Sequence, residues 1–381
     1  MRIGIIRRRY NPYGGAEVFL KRFIAELLKR GHVVDLFAEE WAGGGGGGVG
    51  EGVTFHRVRA RGPYFLRPLC FALNAKKAVS RARPDVVVSF ERTFCQDVYR
   101  AGDGCHREWL ERRMPAAQPL KRFLISINPL HRVLLYIERR LFTDRRLKKV
   151  VANSNMVKAD IIKHYGLPEK SIYVIYNGIN LSAYTSRSFE LRKKTREALG
   201  VEEGVRVLLF VGSGFERKGL LYTIRALKRL KEAPVKLIVI GRGSAGRYLK
   251  EARGLGVEGL VTFLGPVKET AGYYQAADIF VLPSLYEPFS NACLEAMASG
   301  LPVVTSRANG FSEVIKEGST GAVVEDPTDP EEIARKIKTF LPVEKKEEAG
   351  RLARREAEKF TIEKNVGEFL KIIEEARGDK G

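Results

Sequence analysis

The chain has 381 residues, too many for one ordinary core and suited to two domains of roughly 150–200 residues each. A hydrophobic fraction of 44% excludes wholesale disorder, and no run of about 18 apolar residues marks a membrane-spanning helix. The net charge of +21 is lopsided: 33 Lys and Arg face 16 Asp and Glu in residues 1–180, against 33 and 29 in the remainder, so the anion-attracting field belongs to the first half and suits nucleic acid, anionic lipid or a phosphorylated substrate.

The opening residues Met1–Arg9 read as a short strand followed by charge, without the apolar core and cleavage site of a signal peptide. Arg2–Ile6 is the strand and Asn11–Gly15 a loop. Glu17–Arg30 is an amphipathic helix with Val18, Phe19, Phe23, Ile24, Leu27 and Leu28 on one face. Gly31 stops it, and Val33–Ala38 is the next strand. The six glycines Gly43–Gly48 lack the preceding strand and following helix of a phosphate loop, and read as a flexible surface loop. Val86–Phe90 is a buried strand. After it comes Ala101-Gly102-Asp103-Gly104-Cys105-His106, in which Asp103 fits either a turn aspartate or a carboxylate that binds hydroxyls. Residues 105–149 hold 12 basic and 4 acidic residues, and the spacing Leu130, Val133, Leu134, Ile137, Leu141 is helical, flanked by Arg132, Arg139 and Arg140. That segment fits a basic amphipathic surface or a helix pair packed on the core.

Asn177-Gly178 is a turn, and the strand–helix alternation then restarts. Arg206–Gly212 is a strand, Gly219–Lys231 a helix and Val235–Ile240 a strand. Val261–Phe263, Ile279–Leu282 and Pro302–Thr305 follow as short strands. Two α/β units with parallel, doubly wound sheets are expected. Cys70, Cys95, Cys105 and Cys293 show neither metal-ligand spacing nor a disulfide framework, which fits a reducing cytoplasm.

Two stretches of the second half carry chemistry. Between Val211 and Gly219, glycines permit a close turn after a strand, and Arg217 and Lys218 stand beside a helix start, where adjacent cations can neutralise a diphosphate. From Glu287 to Glu295, one carboxylate sits between a strand and a helix and the second lies about one turn inside that helix (Ala292–Ser299). The N–H groups of Phe289, Ser290 and Asn291 are expected to face a phosphate, and Glu295 to reach a hydroxyl pair. In the first half, Gly14 and Gly15 stand between a strand and a helix, close enough in pattern for the backbone to approach a phosphate.

The Glu-x7-Glu stretch, the Arg-Lys loop and Gly14-Gly15 together resemble the retaining glycosyltransferases of family 4, over essentially the whole chain. Tyr13–Glu17, Ala101–Met114, Val211–Gly219 with its Phe-x-Arg-Lys-Gly, and residues 105–149 are similar to its lipopolysaccharide core glucosyltransferase branch. The resemblance implies a GT-B fold: two Rossmann-like doubly wound domains facing a deep cleft, an acceptor domain over 1–178, a nucleotide-sugar domain over 179–362, and a C-terminal helix, 363–381, crossing back to the first. It implies that Glu295 holds the ribose, Glu287 the donor sugar, Arg217 and Lys218 the diphosphate with Gly15 approaching it, and that the backbone near Val267 reads the base. Asp103 would contact the donor sugar or acceptor. The histidine often found in the family's first-domain sugar site is matched here by a stretch offering Asp103 and His106. The donor implied is UDP-glucose and the acceptor a membrane glycolipid such as an inner-core heptose. Residues 105–149 would lie on an anionic membrane surface, placing a cytoplasmic protein peripherally on the inner membrane. No cofactor is expected, and no metal, since Arg217, Lys218 and helix N-termini can meet the charge of the leaving diphosphate and no DxD triplet stands at a suitable place.

Three other classes fit less well. A nucleic-acid-binding protein would show an organised recognition element, and this chain has no such motif. A dinucleotide oxidoreductase would show GxGxxG with a distal acid. A sugar-nucleotide epimerase or hydrolase would act on the donor without an acceptor.

Overall fold

Every strand of the two large sheets runs parallel to its neighbours, as the alternation of apolar runs with amphipathic helices requires. The computed structural model describes residues 1–10, 15–41, 52–114, 119–184 and 188–378. The chain divides into two units, Met1–Gly178 with Ile362–Gly381, and Ile179–Thr361.

Unit 1 runs β1 (Arg2–Ile6), β2 (Arg9–Tyr10), α1 (Gly15–Lys29), β3 (Val33–Ala38), β4 (Glu40–Trp41), β5 (Val53–Arg57), α2 (Arg67–Ala82), β6 (Val86–Ser89), β7 (Val98–Ala101), α3 (His106–Arg113), α4 (Pro119–Ile127), α5 (Pro129–Phe142), β8 (Lys149–Ala152), α6 (Asn155–Tyr165) and β9 (Ile172–Val174). Its seven-stranded sheet has the order β5-β3-β1-β6-β7-β8-β9. Ile3 and Ile5 of β1 and Val86 and Val88 of β6 are completely buried, as expected of strands covered on both faces.

Unit 2 runs α7 (Phe189–Ala198), β10 (Arg206–Val211), α8 (Leu220–Leu227), β11 (Val235–Ile240), α9 (Gly246–Gly254), β12 (Val261–Gly265), α10 (Ala271–Ala276), β13 (Ile279–Leu282), α11 (Asn291–Ala298), β14 (Val303–Ser306), β15 (Gly321–Val324), α12 (Pro330–Lys338) and α13 (Val343–Ala357). Its six strands are ordered β12-β11-β10-β13-β14-β15. The helix expected to run to Lys231 ends at Leu227, and the chain continues to Leu230 in tighter turns: Arg229 and Leu230 donate to the carbonyls of Ala226 and Leu227, three residues back.

The last helix, α14 (Ile362–Gly378), belongs to unit 1. Its Val366, Phe369, Leu370, Ile372 and Ile373 join α1, β1 and β6 in one buried cluster, where the Phe369 ring stacks on Phe23 at 5.1 Å. The Asn365 side chain donates to the carbonyl of Tyr176, tying this helix to the end of the first chain segment.

Candidate active site

In an open parallel sheet, ligands collect beyond the carboxyl ends of the strands, where the strand order reverses. In unit 2 that point lies between β10 and β13. The loop after β10 carries Arg217 and Lys218, and the loop after β13 carries Glu287. Phe215 anchors the first loop by packing edge-on against Tyr248, 5.6 Å away. Gly219 has φ +78, and a Cβ there would stand 1.9 Å from the carbonyl oxygen of Pro283, so only glycine lets the two loops come this close. The second loop is held on its other side, where Glu287 N–H donates to Ala308 and Gly310 N–H donates to Glu287, at 2.9 and 2.8 Å.

These backbones place the Glu287 carboxylate 2.5 Å from both Arg217 Nη1 and Lys218 Nζ. Glu287 and Lys218 are each 8% exposed. Burial alone would raise the Glu287 pKa, but Lys218 and Arg217 outweigh it and hold the carboxyl below its usual range. Glu287 is therefore ionised, and the trio carries one surplus positive charge. Glu295 is the opposite case. Burial raises its pKa, although Tyr274 donates to its Oε2 at 2.8 Å and Tyr184 also bonds to it.

The helix following Glu287 runs Asn291–Ala298 rather than Ala292–Ser299, and the donors of its first turn lie later than the expected Phe289, Ser290 and Asn291. Ser290 is the N-cap of α11 and its Oγ accepts the N–H of Cys293 at 3.3 Å, so the first turn belongs to Asn291, Ala292 and Cys293. Phe289 and Ser290 precede that turn, with Phe289 buried edge-on against Phe311. Val267 lies half-buried in the loop after β12, at the same carboxyl end of the sheet.

In unit 1, Asp103 is exposed on the loop after β7 and has no hydrogen-bond or ion-pair partner among the described residues. The loop beneath it is pinned at three points. Gly102 O accepts from Asn153 Nδ2 at 3.1 Å, Gly104 O accepts from Arg92 Nη2 at 2.7 Å, and the N–H groups of His106 and Arg107 donate to Glu138 at 2.7 and 3.1 Å. Glu138 is fully buried on α5, and Arg92 Nε and Tyr165 Oη also donate to it, at 2.8 and 2.5 Å. Burial opposes its ionisation, but Arg92 and these donors keep it ionised. His106 meets His131 at 3.1 Å, and burial lowers its pKa to about 4, leaving a neutral imidazole near pH 7. Gly15 opens α1, whereas Gly14 and the run Gly43–Gly48 lie outside the described residues.

Sequence reasoning missed Glu138, Arg92, Tyr274 and Tyr184. The available signal for Glu138 was its isolation as the one acid among the cations of α5; the others had none. The apolar stripe expected on the membrane side of residues 105–149 is corrected: Ile137 and Leu141 are completely buried and Leu130, Val133 and Leu134 half-buried, because α5 uses that face to pack on the unit. The exposed apolar face is on α4, with Leu120, Phe123, Leu124 and Ile127 between 50% and 71% exposed. Glu108, Glu111 and His164 have metal-ligand proximity, but Lys163 and Arg112 already pair with Glu108 at 2.8 and 2.7 Å.

Residues 13–183 match the family described as Glycosyltransferase Family 4, and residues 205–342 match Glycosyl transferases group 1. An uncharacterised glycosyltransferase of Methanocaldococcus jannaschii is 38% identical over 191 residues, which span 49% of this chain and 49% of that protein, so the match covers about half the relative's length. The lipopolysaccharide glucosyltransferase WaaG of Escherichia coli K12 is 27% identical over 88% of this chain and 89% of its own. The crystal structure of WaaG, a glycosyltransferase involved in lipopolysaccharide biosynthesis, shares the fold, with a TM-score of 0.82 at 24% identity over 97% of this chain and 99% of that one. So does HepE of Anabaena, solved with UDP and glucose, with a TM-score of 0.72 at 22% identity over 98% and 99%.

Proposed function

This chain belongs to the group 1 and family 4 glycosyltransferases, and we propose that within them it is a retaining hexosyltransferase moving glucose from UDP-glucose to a membrane-held glycolipid. The observation that carries the donor half is the ionised Glu287 clamped between Arg217 and Lys218 at the switch point of the unit 2 sheet. A diphosphate brings two anionic groups to a trio with one surplus positive charge. It would draw both cations from Glu287 and leave that carboxylate to accept hydroxyls of the sugar. Glu295, already accepting phenol donors, would exchange them for ribose hydroxyls. Breakage of the sugar–phosphate bond puts negative charge on the departing oxygen, which Arg217, Lys218 and the α11 N-terminus stabilise without a divalent cation.

For the acceptor half, Asp103 offers an exposed carboxylate on a loop fixed from below by Glu138, Arg92 and Asn153. The acceptor hydroxyl attacks the anomeric carbon from the face the phosphate leaves, its proton passes to the departing phosphate oxygen, and the configuration is retained. The basic surplus of the first half and the apolar face of α4 suit an acceptor held in an anionic membrane, with the enzyme lying peripherally on the inner leaflet. Among the described residues no helix is long and apolar enough to cross a membrane. Glucose and a lipopolysaccharide-type acceptor are taken from the likeness to the Escherichia coli glucosyltransferase.

The direct test is thermal unfolding with UDP-glucose. A ligand at about 100 times its Kd adds roughly 2.7 kcal/mol to the folded state, so the melting temperature should rise, and Glu295→Ala should remove most of the rise. No shift with any UDP-sugar would overturn the donor reading. Incubation with acceptor should give the α-linked product by NMR, undiminished by EDTA; a β-linked product would refute retention.

A further inference from the structure

Unit 2 holds a cavity of about 510 Å³ lined by Ser299, Gly300, Glu347, Gly350, Arg351, Arg354 and Arg355. None of these residues belongs to the donor site. The cavity lies where α13 crosses the end of α11. Its floor is a backbone-to-backbone contact: a Cβ on Gly350 would stand 2.3 Å from the carbonyl oxygen of Gly300. Lys346, paired with the buried Asp278 at 3.0 Å, fastens α13 to the sheet in this position. Two bare glycine surfaces at the crossing leave room beside them, and a volume of this size accepts a small molecule.

The lining is built for an anion. Arg354 is already committed: it donates to the carbonyls of Ala298 and Tyr184 and so cancels the negative end of α11 beneath the cavity. Arg351 and Arg355 sit one helical turn apart on the same side of α13, and neither has a hydrogen bond or ion pair among the described residues. Against three guanidinium groups stands one carboxylate, Glu347, leaving two positive charges in surplus. Like charges at this spacing destabilise a helix, and a dianion between them reverses that. Ser299 adds an independent observation. It is 1% exposed, and its Oγ is buried without a hydrogen-bond partner. A buried hydroxyl is ordinarily paired, and Ser299 is among the residues that line the same cavity as Arg351 and Arg355.

We propose that this cavity is a second anion site, binding the phosphate group of a small phosphorylated molecule through Arg351, Arg355 and Ser299 Oγ. Guanidinium forks match phosphate oxygens in pairs, and the hydroxyl supplies a neutral donor where a fourth charge would be repelled.

The test is calorimetric titration of the full chain with inorganic phosphate. Saturable binding at or below ~10 mM is expected, weakened at least tenfold in Arg351→Ala/Arg355→Ala and clearly reduced in Ser299→Ala. Glu295→Ala should leave the phosphate isotherm unchanged. Circular dichroism certifies the fold of each variant; should the double alanine variant fail it, Arg355→Glu replaces it and should abolish binding outright. Absence of saturable binding to the wild-type chain would overturn the proposal. So would an isotherm unchanged by the arginine substitutions, or one lost only in Lys218→Ala, which would assign the phosphate to the donor site. If Ser299→Ala merely raised stability and left affinity intact, the hydroxyl would be removed from the site.

Discussion

Glu287 and Glu295 are eight residues apart and chemically identical, yet their surroundings drive their protonation in opposite directions. Two cations within 2.5 Å hold Glu287 ionised, whereas burial among phenols raises Glu295. The cations are accordingly expected to matter in the transition state more than in substrate binding. Lys218→Ala or Arg217→Ala should lower kcat/KM by about 10²–10³-fold, with most of the loss in kcat; steady-state kinetics at saturating acceptor measure this, and a loss confined to KM would contradict it. His106 offers a test in pH. Burial lowers its folded-state pKa from 6.5 to about 4, so on acidification the unfolded chain takes up a proton first. The stability it contributes is present above pH 6.5 and is lost as pH falls toward 4, a change of about 3 kcal/mol. Urea midpoints across that range should fall more steeply for the wild type than for His106→Asn; identical slopes would dismiss the assignment.

Two neighbouring helices divide the work of the basic segment. In α5, the positions with clean helical spacing are spent on packing, and the same helix sends Glu138 beneath the Asp103 loop. In α4, Leu120, Phe123, Leu124 and Ile127 follow the same three-and-four spacing but face outward, beside the exposed Arg122. Periodicity identifies an apolar face and says nothing about what covers it: the stripe of α5 is packed on unit 1, whereas that of α4 is exposed. The outward face leads to a direct expectation. Phe123→Glu/Leu124→Glu removes apolar burial of roughly 1.5–3 kcal/mol per side chain and adds like charge, so binding to phosphatidylglycerol vesicles should weaken more than tenfold. Co-sedimentation checks it, with the UDP-glucose shift as control; unchanged binding would remove α4 from the interface.

At the scale of the molecule, the chain leaves unit 1 at Gly178 and returns to it at Ile362. Six large apolar side chains of α14 are buried in one cluster with α1, β1 and β6. At roughly 1.5–3 kcal/mol each, their gross contribution rivals the 5–15 kcal/mol by which whole domains are stable. A chain ending at Thr361 should therefore lose the cooperative unfolding of unit 1 and become protease-sensitive there, while unit 2 retains its own transition. Calorimetry and limited proteolysis read this directly, and an intact unit 1 in the truncated chain would show that α14 is dispensable.

The sequence by itself determined the two parallel α/β units and the loops bearing Arg217, Lys218, Glu287 and Asp103. Those features rest on local patterns: apolar runs of strand length, helical spacing, and glycine at tight turns. Only the tertiary structure decided that Arg217 and Lys218 meet Glu287, which lies about 70 residues further along the chain, since both loops leave strands made neighbours by a crossover. It likewise decided that Glu138 supports Asp103, that Tyr274 and Tyr184 face Glu295, and that α4 rather than α5 is exposed. Such pairings depend on strand order and helix docking, which arise from packing the whole chain and leave no periodic trace within it.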